Sequence, residues 1–364
     1  MTESRSGPLV DEAALSVWVA RHPELPGDGP VGVQRYGEGH SNLTFVVRRA
    51  AAGAGWVLRR PPRGPLLPTA HDVLREYRVL DLLAKAGTGV RVPRVLAACD
   101  DPSVIGVPFY LMERVDGEVI RDELPGWLAE DGRDAGRRRL LGFDVVDALA
   151  ELHLVPYEPF VTAGLGRAGG YLERQLRRWR GQREGIRQAV AAAGGTAREL
   201  PDYDAVSDWL GAHLPAEGEP CVVHGDYKLD NVVVTAAGPS GDGVPRVAAI
   251  LDWEMATVGD GLADLGWLLS FWTQPGEDAQ LGRRATAAPG FPRREELADR
   301  YAERTGRAVH DLDWFVTLAV WKLAVLLEAS YHRHLAGLAD DPWFAELEEG
   351  VPALLRRARE VCGA

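Results

Sequence analysis

The stretches HGDYKLDN (224–231) and ILDWE (250–254) decide how this chain is read. Asp226 and Asn231 are separated by four residues, and Asp252 follows Asn231 by 21 positions. Short β-rich runs flank them: CVV before the first stretch, VVV after it, and RVAA before the second. The spacing predicts a hairpin that gathers a loop carboxylate, a loop amide and a strand-ending carboxylate. Phosphoryl transfer requires such a set. One carboxylate receives or orients the proton of an acceptor hydroxyl, while other oxygens hold the Mg²⁺ that bridges nucleotide phosphates. Asp226 suits the first task, and Asn231 and Asp252 suit the second. A surface loop and a solvated strand end would explain these residues singly, but the H-x-D-x4-N loop and the strand-ending Asp occur together.

Outward from that hairpin the two sides of the chain differ. On the N-terminal side, residues 10–21 have helical spacing. LTFVV (43–47) and WVLR (56–59) read as an antiparallel hairpin behind the glycine-bearing turn GEGHSN (37–42). Residues 70–86 form an amphipathic helix, and VPRVLAAC (92–99) and PFYLMERV (108–115) are two further strands. Beyond Asp116 helices dominate, at 137–153, 171–183, 203–214, 262–272, 293–305, 312–335 and 343–361. The expected fold is α+β and two-lobed, with a small β-rich lobe at 1–115 and a larger helical lobe at 116–364 that carries the catalytic hairpin.

Composition narrows the function classes. The 364 residues are 46% hydrophobic and 26% charged, as in a globular enzyme. Lys+Arg 41 against Asp+Glu 53 gives a net charge of −12, which argues against nucleic acid as a partner. Cys99, Cys221 and Cys362 form no CxxC pattern, so neither a disulfide framework nor a cysteine zinc site is expected. The N-terminal residues contain no apolar signal segment, and the expected location is the cytoplasm. The apolar stretch 314–331 is interrupted by Lys322 and Glu328 and reads as a buried helix, not a membrane span. Lysine is scarce: Lys85, Lys228 and Lys322 are the whole set.

HGDYKLDN and LDWE resemble the catalytic loop and metal-binding motif of the aminoglycoside phosphotransferase family, which shares the protein-kinase-like fold. The resemblance spans nearly the whole chain. GEGHSNLTFVV (37–47) is similar to the family's nucleotide loop, LREYRVL (74–80) to the helix with the ion-pair Glu, and FYLMERVDG (109–117) to the hinge. YLERQLRRWRGQ (171–182), ATVGDGLADLGWLL (256–269) and WKLAVLLEASYHR (321–333) resemble the branch that includes the kinase domain fused to acyl-CoA dehydrogenases and its free-standing bacterial relatives.

The resemblance implies ATP and Mg²⁺ as cofactors, Asp226 as base, and Asn231, Asp252 and Glu254 as metal residues. It implies a nucleotide site formed by Gly39, His40, Ser41, Asn42, Arg59, Glu76, Glu113 and Val115. Arg59 stands where the general kinase pattern has a lysine; Arg60 is its neighbour and competitor, on the opposite face of a regular strand. His224 and Asp264 are expected to brace the catalytic loop, and His153 to be a satisfied core histidine. Lys228 reads equally as a solvated loop lysine or as a contact to the transferring phosphoryl group.

The acceptor is less defined. Arg174, Arg177, Arg178, Arg180 and Arg183 concentrate positive charge on one helix. Such a run is ordinarily a solvated face; the alternative is a polyanion site in which Arg174 and Arg178 clamp the phosphates of a CoA thioester. An anionic hydroxyl substrate such as a hydroxyacyl-CoA is therefore the leading expectation, and an aminoglycoside the alternative. A nucleotide-binding pseudokinase is disfavoured because Asp226, Asn231 and Asp252 are all present. A protein kinase is disfavoured because no DFG or APE-like run follows Asp252.

Overall fold

Short strands buried over most of their length build the sheet of the first of two units. The computed structural model describes residues 8–25, 27–36, 42–49, 55–62, 72–130, 132–237, 243–338 and 341–363. Its units are Met1–Gly117 with Ala248–Ala256, and Glu118–Val247 with Thr257–Ala364. The first division falls after Gly117; the boundary expected from sequence is between 115 and 116. The nine residues from 248 to 256, assigned on sequence to the helical part, belong instead with the β-rich unit.

The first unit comprises α1 (Glu12–Ala20), β1 (Val31–Arg35), β2 (Leu43–Arg49), β3 (Trp56–Arg60), α2 (Val73–Lys85), β4 (Val95–Cys99) and β5 (Phe109–Glu113). The strands form one antiparallel sheet in the order β1-β2-β3-β5-β4. Trp56 and Leu58 leave β3 on one face and join Phe45, Val47, Phe109 and Leu111 in a core with Leu15 and Val19 of α1. Val57 and Arg59 leave on the other face. There Arg59 meets Glu76 of α2, a helix that buries Val73, Val79, Leu80 and Leu83 as well. Asp72 starts α2 by accepting a hydrogen bond from the Arg75 N–H at 2.9 Å.

The second unit begins with α3 (Ala135–His153), α4 (Glu158–Thr162), α5 (Tyr171–Ala192) and α6 (Pro201–Ala212). Four short strands follow: β6 (Pro220–Val223), β7 (Val232–Thr235), β8 (Arg246–Ile250) and β9 (Thr257–Asp260). The unit ends in α7 (Leu262–Phe271), α8 (Arg294–Thr305), α9 (Leu312–Leu335) and α10 (Leu347–Cys362). Within β8 the chain passes from this unit back to the first. The hairpin expected from sequence is β7 with β8, whereas β6 pairs with β9 in a separate two-stranded sheet. Sequence reading does not anticipate β9, because the four residues TVGD carry turn formers in half their positions.

Helix α9 is the axis of the second unit, packed by α5, α6, α7 and α10. It buries Leu318, Ala319, Val320, Trp321, Leu323 and Ala324 around its circumference, the signature of a core helix. Among the described residues no helix is long and apolar enough to cross a membrane.

Candidate active site

In the second unit, strand β6 delivers the chain into the loop 224–231, and helix α7 holds it there. The Asp264 carboxylate accepts the His224 N–H at 2.6 Å on Oδ2 and the Gly225 N–H at 2.8 Å on Oδ1. His153 contacts Asp264 Oδ2 through Nε2 at 3.3 Å and the Tyr301 hydroxyl through Nδ1 at 2.7 Å. Burial alone would push the Asp264 carboxyl up. The His153 hydrogen bond, the fields of His153 and His224 and the Gly225 N–H outweigh it, holding the group below the ordinary carboxylate range. Asp264 thus accepts two backbone N–H groups of the loop, and both ring nitrogens of buried His153 have partners.

The loop presents Asp226 under close restraint. Its N–H donates to His224 Nδ1 at 3.2 Å. Asn231 Nδ2 donates to Asp226 Oδ2 and to its carbonyl, both at 2.8 Å. Lys228 Nζ approaches both carboxylate oxygens at 2.6 Å, so the lysine left open by sequence is paired with the candidate base. Tyr227 turns inward, and its hydroxyl donates to the Val145 carbonyl of α3 at 2.6 Å. Burial favours the neutral Asp226 acid, but Lys228, then Lys322 and His224, outweigh it, and the carboxyl is held below its ordinary range. An ionised, oriented carboxylate can accept a proton from a hydroxyl.

In the first unit a second group of charges assembles around Arg59. Its guanidinium lies 3.2 Å from Glu76 Oε1 and 3.0 Å from Asp252 Oδ1. Burial opposes the Arg59 charge; Glu76, Tyr110 and Asp252 outweigh it, and the pKa is raised. Glu76 Oε1 also accepts the Trp253 N–H at 3.2 Å. Asp252 adopts a left-handed conformation, φ 67° and ψ 67°, a region that Asp tolerates better than most residues. Glu254 Oε2 accepts from Asn42 Nδ2 at 3.4 Å, and Arg75 donates to the Glu254 and Ala256 carbonyls. Arg60 points away and donates to the Pro61 and Leu9 carbonyls.

The remaining candidates have other settings. Gly39, His40 and Ser41 lie outside the described residues. Glu113 accepts the Arg94 N–H at 3.0 Å, and Val115 is half-buried. Arg174 donates to the Gly169 and Arg167 carbonyls, so it fastens its own loop. Arg178 lies over the Trp179 ring at 5.0 Å. Arg180 binds Ser207, and Arg183 reaches the Arg198 carbonyl and Glu328. Much of the arginine run thus supports the helical unit itself. Sequence reading treats Lys322 only as an interruption of an apolar helix, although its ammonium reaches the Gly225 carbonyl at 2.5 Å. A lone lysine on a helix apolar all round was the available signal.

Among the described residues, no group of three or more His, Cys, Asp or Glu is placed to hold a metal. The oxygen donors are instead dispersed: Asp252 and Glu254 in one unit, and in the other an Asn231 whose Nδ2 is committed to Asp226, leaving its amide oxygen for a cation. Asp252 and Glu254 by themselves are the donor type suited to Mg²⁺, which takes one or two protein oxygens and completes its shell with phosphate and water.

A loop carboxylate pinned by an amide and a lysine, with a separate buried Arg–Glu pair on a five-stranded sheet, defines a phosphotransferase of the protein-kinase-like fold. The model of the phosphotransferase enzyme family matches residues 32–297, and the chain belongs to that family. It is 33% identical to acyl-CoA dehydrogenase family member 11 of Gallus gallus, over 99% of this chain and 44% of that protein. The chain therefore spans less than half the length of that relative. It is 26% identical to the viomycin phosphotransferase of Streptomyces vinaceus, over 66% of this chain and 74% of that enzyme. A crystal structure from Ralstonia eutropha, assigned provisionally as an aminoglycoside phosphotransferase, aligns with a TM-score of 0.76 at 30% identity, covering 97% of this chain and 98% of that one.

Proposed function

We propose that this protein is an ATP- and Mg²⁺-dependent kinase that phosphorylates a hydroxyl group of a small molecule, with a hydroxyacyl-CoA thioester as the leading acceptor. The observation that carries the reading is the Asp226 carboxylate, held ionised and aimed by Lys228, Asn231 and the His224–Asp264 brace. In the proposed reaction Asp226 takes the proton of the acceptor hydroxyl as its oxygen bonds to the γ-phosphorus. The bond from that phosphorus to the β,γ-bridging oxygen breaks, and ADP leaves with the electron pair. Arg59, preorganised by Glu76 and Asp252, would contact the nucleotide phosphates. Asn42, Glu113 and Val115 are proposed nucleotide neighbours. Asp252, Glu254 and the Asn231 oxygen would hold Mg²⁺, which neutralises charge on the phosphates when bound.

Two observations support a CoA handle. The relatives of this chain include proteins named for acyl-CoA dehydrogenases, and the charge of Arg178 acts on Lys322, whose ammonium bonds the Gly225 carbonyl of the loop. With Arg174 tied to its own loop, Arg178 is the sharper probe of the proposed pair. The similarity to viomycin phosphotransferase supports the second reading, an antibiotic such as an aminoglycoside as acceptor.

The test is ADP release from Mg·ATP against 3-hydroxybutyryl-CoA, 4-hydroxybutyryl-CoA, kanamycin and choline. Asp226→Asn should lower kcat by about 10²–10⁴-fold while Mg·ATP still binds. Retention of most of kcat would remove Asp226 as the base. For the CoA handle, truncation of the best thioester to its pantetheine form should lower kcat/KM, and Arg178→Ala should weaken CoA-thioester use selectively. Efficient turnover of kanamycin, unaffected by Arg178→Ala, would favour the antibiotic reading.

A further inference from the structure

Helix α9 carries one lysine in its buried core, and that ammonium has an unusual setting. Lys322 Nζ donates to the Gly225 carbonyl at 2.5 Å. It lies 4.0 Å from the ring centroid of Trp267 on α7 and 5.6 Å from that of Trp179 on α5. The ammonium hydrogen-bonds a backbone carbonyl rather than a carboxylate. Burial pushes the lysine down to about 8, while Asp226 and Asp264 resist that shift and Arg178 and Lys228 add to it. A leucine here would satisfy packing without desolvating a charge, so packing alone does not account for the residue.

The bonded carbonyl belongs to the peptide group that joins Gly225 to Asp226, and this group is held at both ends. Its C=O accepts from Lys322, and its N–H, that of Asp226, donates to His224 Nδ1. Gly225 sits at φ 84°, where the absence of a Cβ leaves the backbone free to rotate unless neighbours fix it. Asp264 fixes the N–H on the near side of Gly225; Lys322 fixes the carbonyl on the far side. We infer that Lys322 is a positioning residue of the phosphotransfer loop, which by holding the Gly225 carbonyl sets the peptide plane that aims the Asp226 carboxylate. The inference rests on the reading of Asp226 as the base. The indole faces of Trp267 and Trp179 make the position tolerable for a cation, and the α9 axis gives it a rigid mount.

The experiment compares Lys322→Met, Lys322→Arg and Asp226→Asn with wild type. It follows ADP release from Mg·ATP, with 3-hydroxybutyryl-CoA and with water as acceptor. Loss of the carbonyl contact should lower kcat of the Met variant by about 10²-fold, the scale of a misaimed catalytic group, with the ATP KM within about threefold of wild type. The Arg variant keeps a charged donor and should recover most of that loss. A packing role predicts the reverse order, because Met is close in volume and suits an apolar cage better than Arg. Hydrogen exchange at the 224–226 amides should quicken in the Met variant. Should Lys322→Met fail to fold, Lys322→Gln, which keeps a donor without the charge, takes its place and should outperform any apolar variant that folds. Wild-type kcat in Lys322→Met beside an inactive Asp226→Asn would overturn the positioning role and leave the proposed function intact. Full turnover in Asp226→Asn, or no ADP release from wild type under any condition, would overturn both.

Discussion

In a pleated strand neighbouring side chains leave on opposite faces, and Arg59 and Arg60 show what that does to two identical charges. Arg59 enters a buried cluster with Glu76 and Asp252, whereas Arg60 holds backbone carbonyls on the α1 side. Removing Arg59 leaves Glu76 buried without its cation, which costs about 3–5 kcal/mol. Arg59→Ala should therefore raise the ATP KM and lower both kcat and the denaturation midpoint. Arg60→Ala should lower the midpoint alone, with both kinetic constants within about threefold of wild type, a scale smaller than the ~10-fold per 1.4 kcal/mol expected of a transition-state contact. Kinetics and urea denaturation on the two variants separate these outcomes; a larger kinetic effect from Arg60→Ala would shift the assignment by one residue. The alternation that separates the two arginines was legible in WVLRR, as was the Asp226–Asn231 spacing. Lys322 was not, because its role depends on which carbonyl a distant loop brings to it.

At the scale of elements, α7 and α9 approach closely because Gly266 has no side chain. A Cβ there would lie 2.7 Å from the backbone carbon of Phe315, and backbone cannot swing aside as a side chain can. The two helices carry Asp264 and Lys322, so this approach also spaces the supports of the catalytic loop. Gly266→Ala should cost about 1–3 kcal/mol through overpacking. Gly181→Ala on α5, where nothing lies within 4 Å of the added carbon, should be neutral or stabilising by up to about 1 kcal/mol. Chemical denaturation of both decides; equal effects would mean that helix propensity, not the helix contact, governs Gly266. Helices with strong periodicity were legible from sequence, and α9 spans the expected residues 312–335. The pairing of β6 with β9 was hidden. A four-residue strand has too few alternations to stand out, and its partner is set by tertiary context.

The whole molecule is not built from two consecutive halves. Residues 248–256 return to the first unit and bring Asp252 and Trp253 to Arg59 and Glu76. A fragment that ends at Gly117 lacks those partners and should fail to give a cooperative unfolding transition. Joining 248–256 to it through a flexible linker should restore one, with circular dichroism against urea as the measurement. A cooperative transition from the shorter fragment would mean that the sheet and its two helices suffice.

This chain path also imposes an order in time on the molecule as it is made. Glu76 emerges from the ribosome 176 residues ahead of Asp252. At about 5–20 residues per second, Glu76 waits roughly 9–35 s for Asp252. During that interval the helical segments that follow are already being synthesised. Arg59 and Glu76 are thus both made well before the second acid, and the unit synthesised first is completed from within the one synthesised after it.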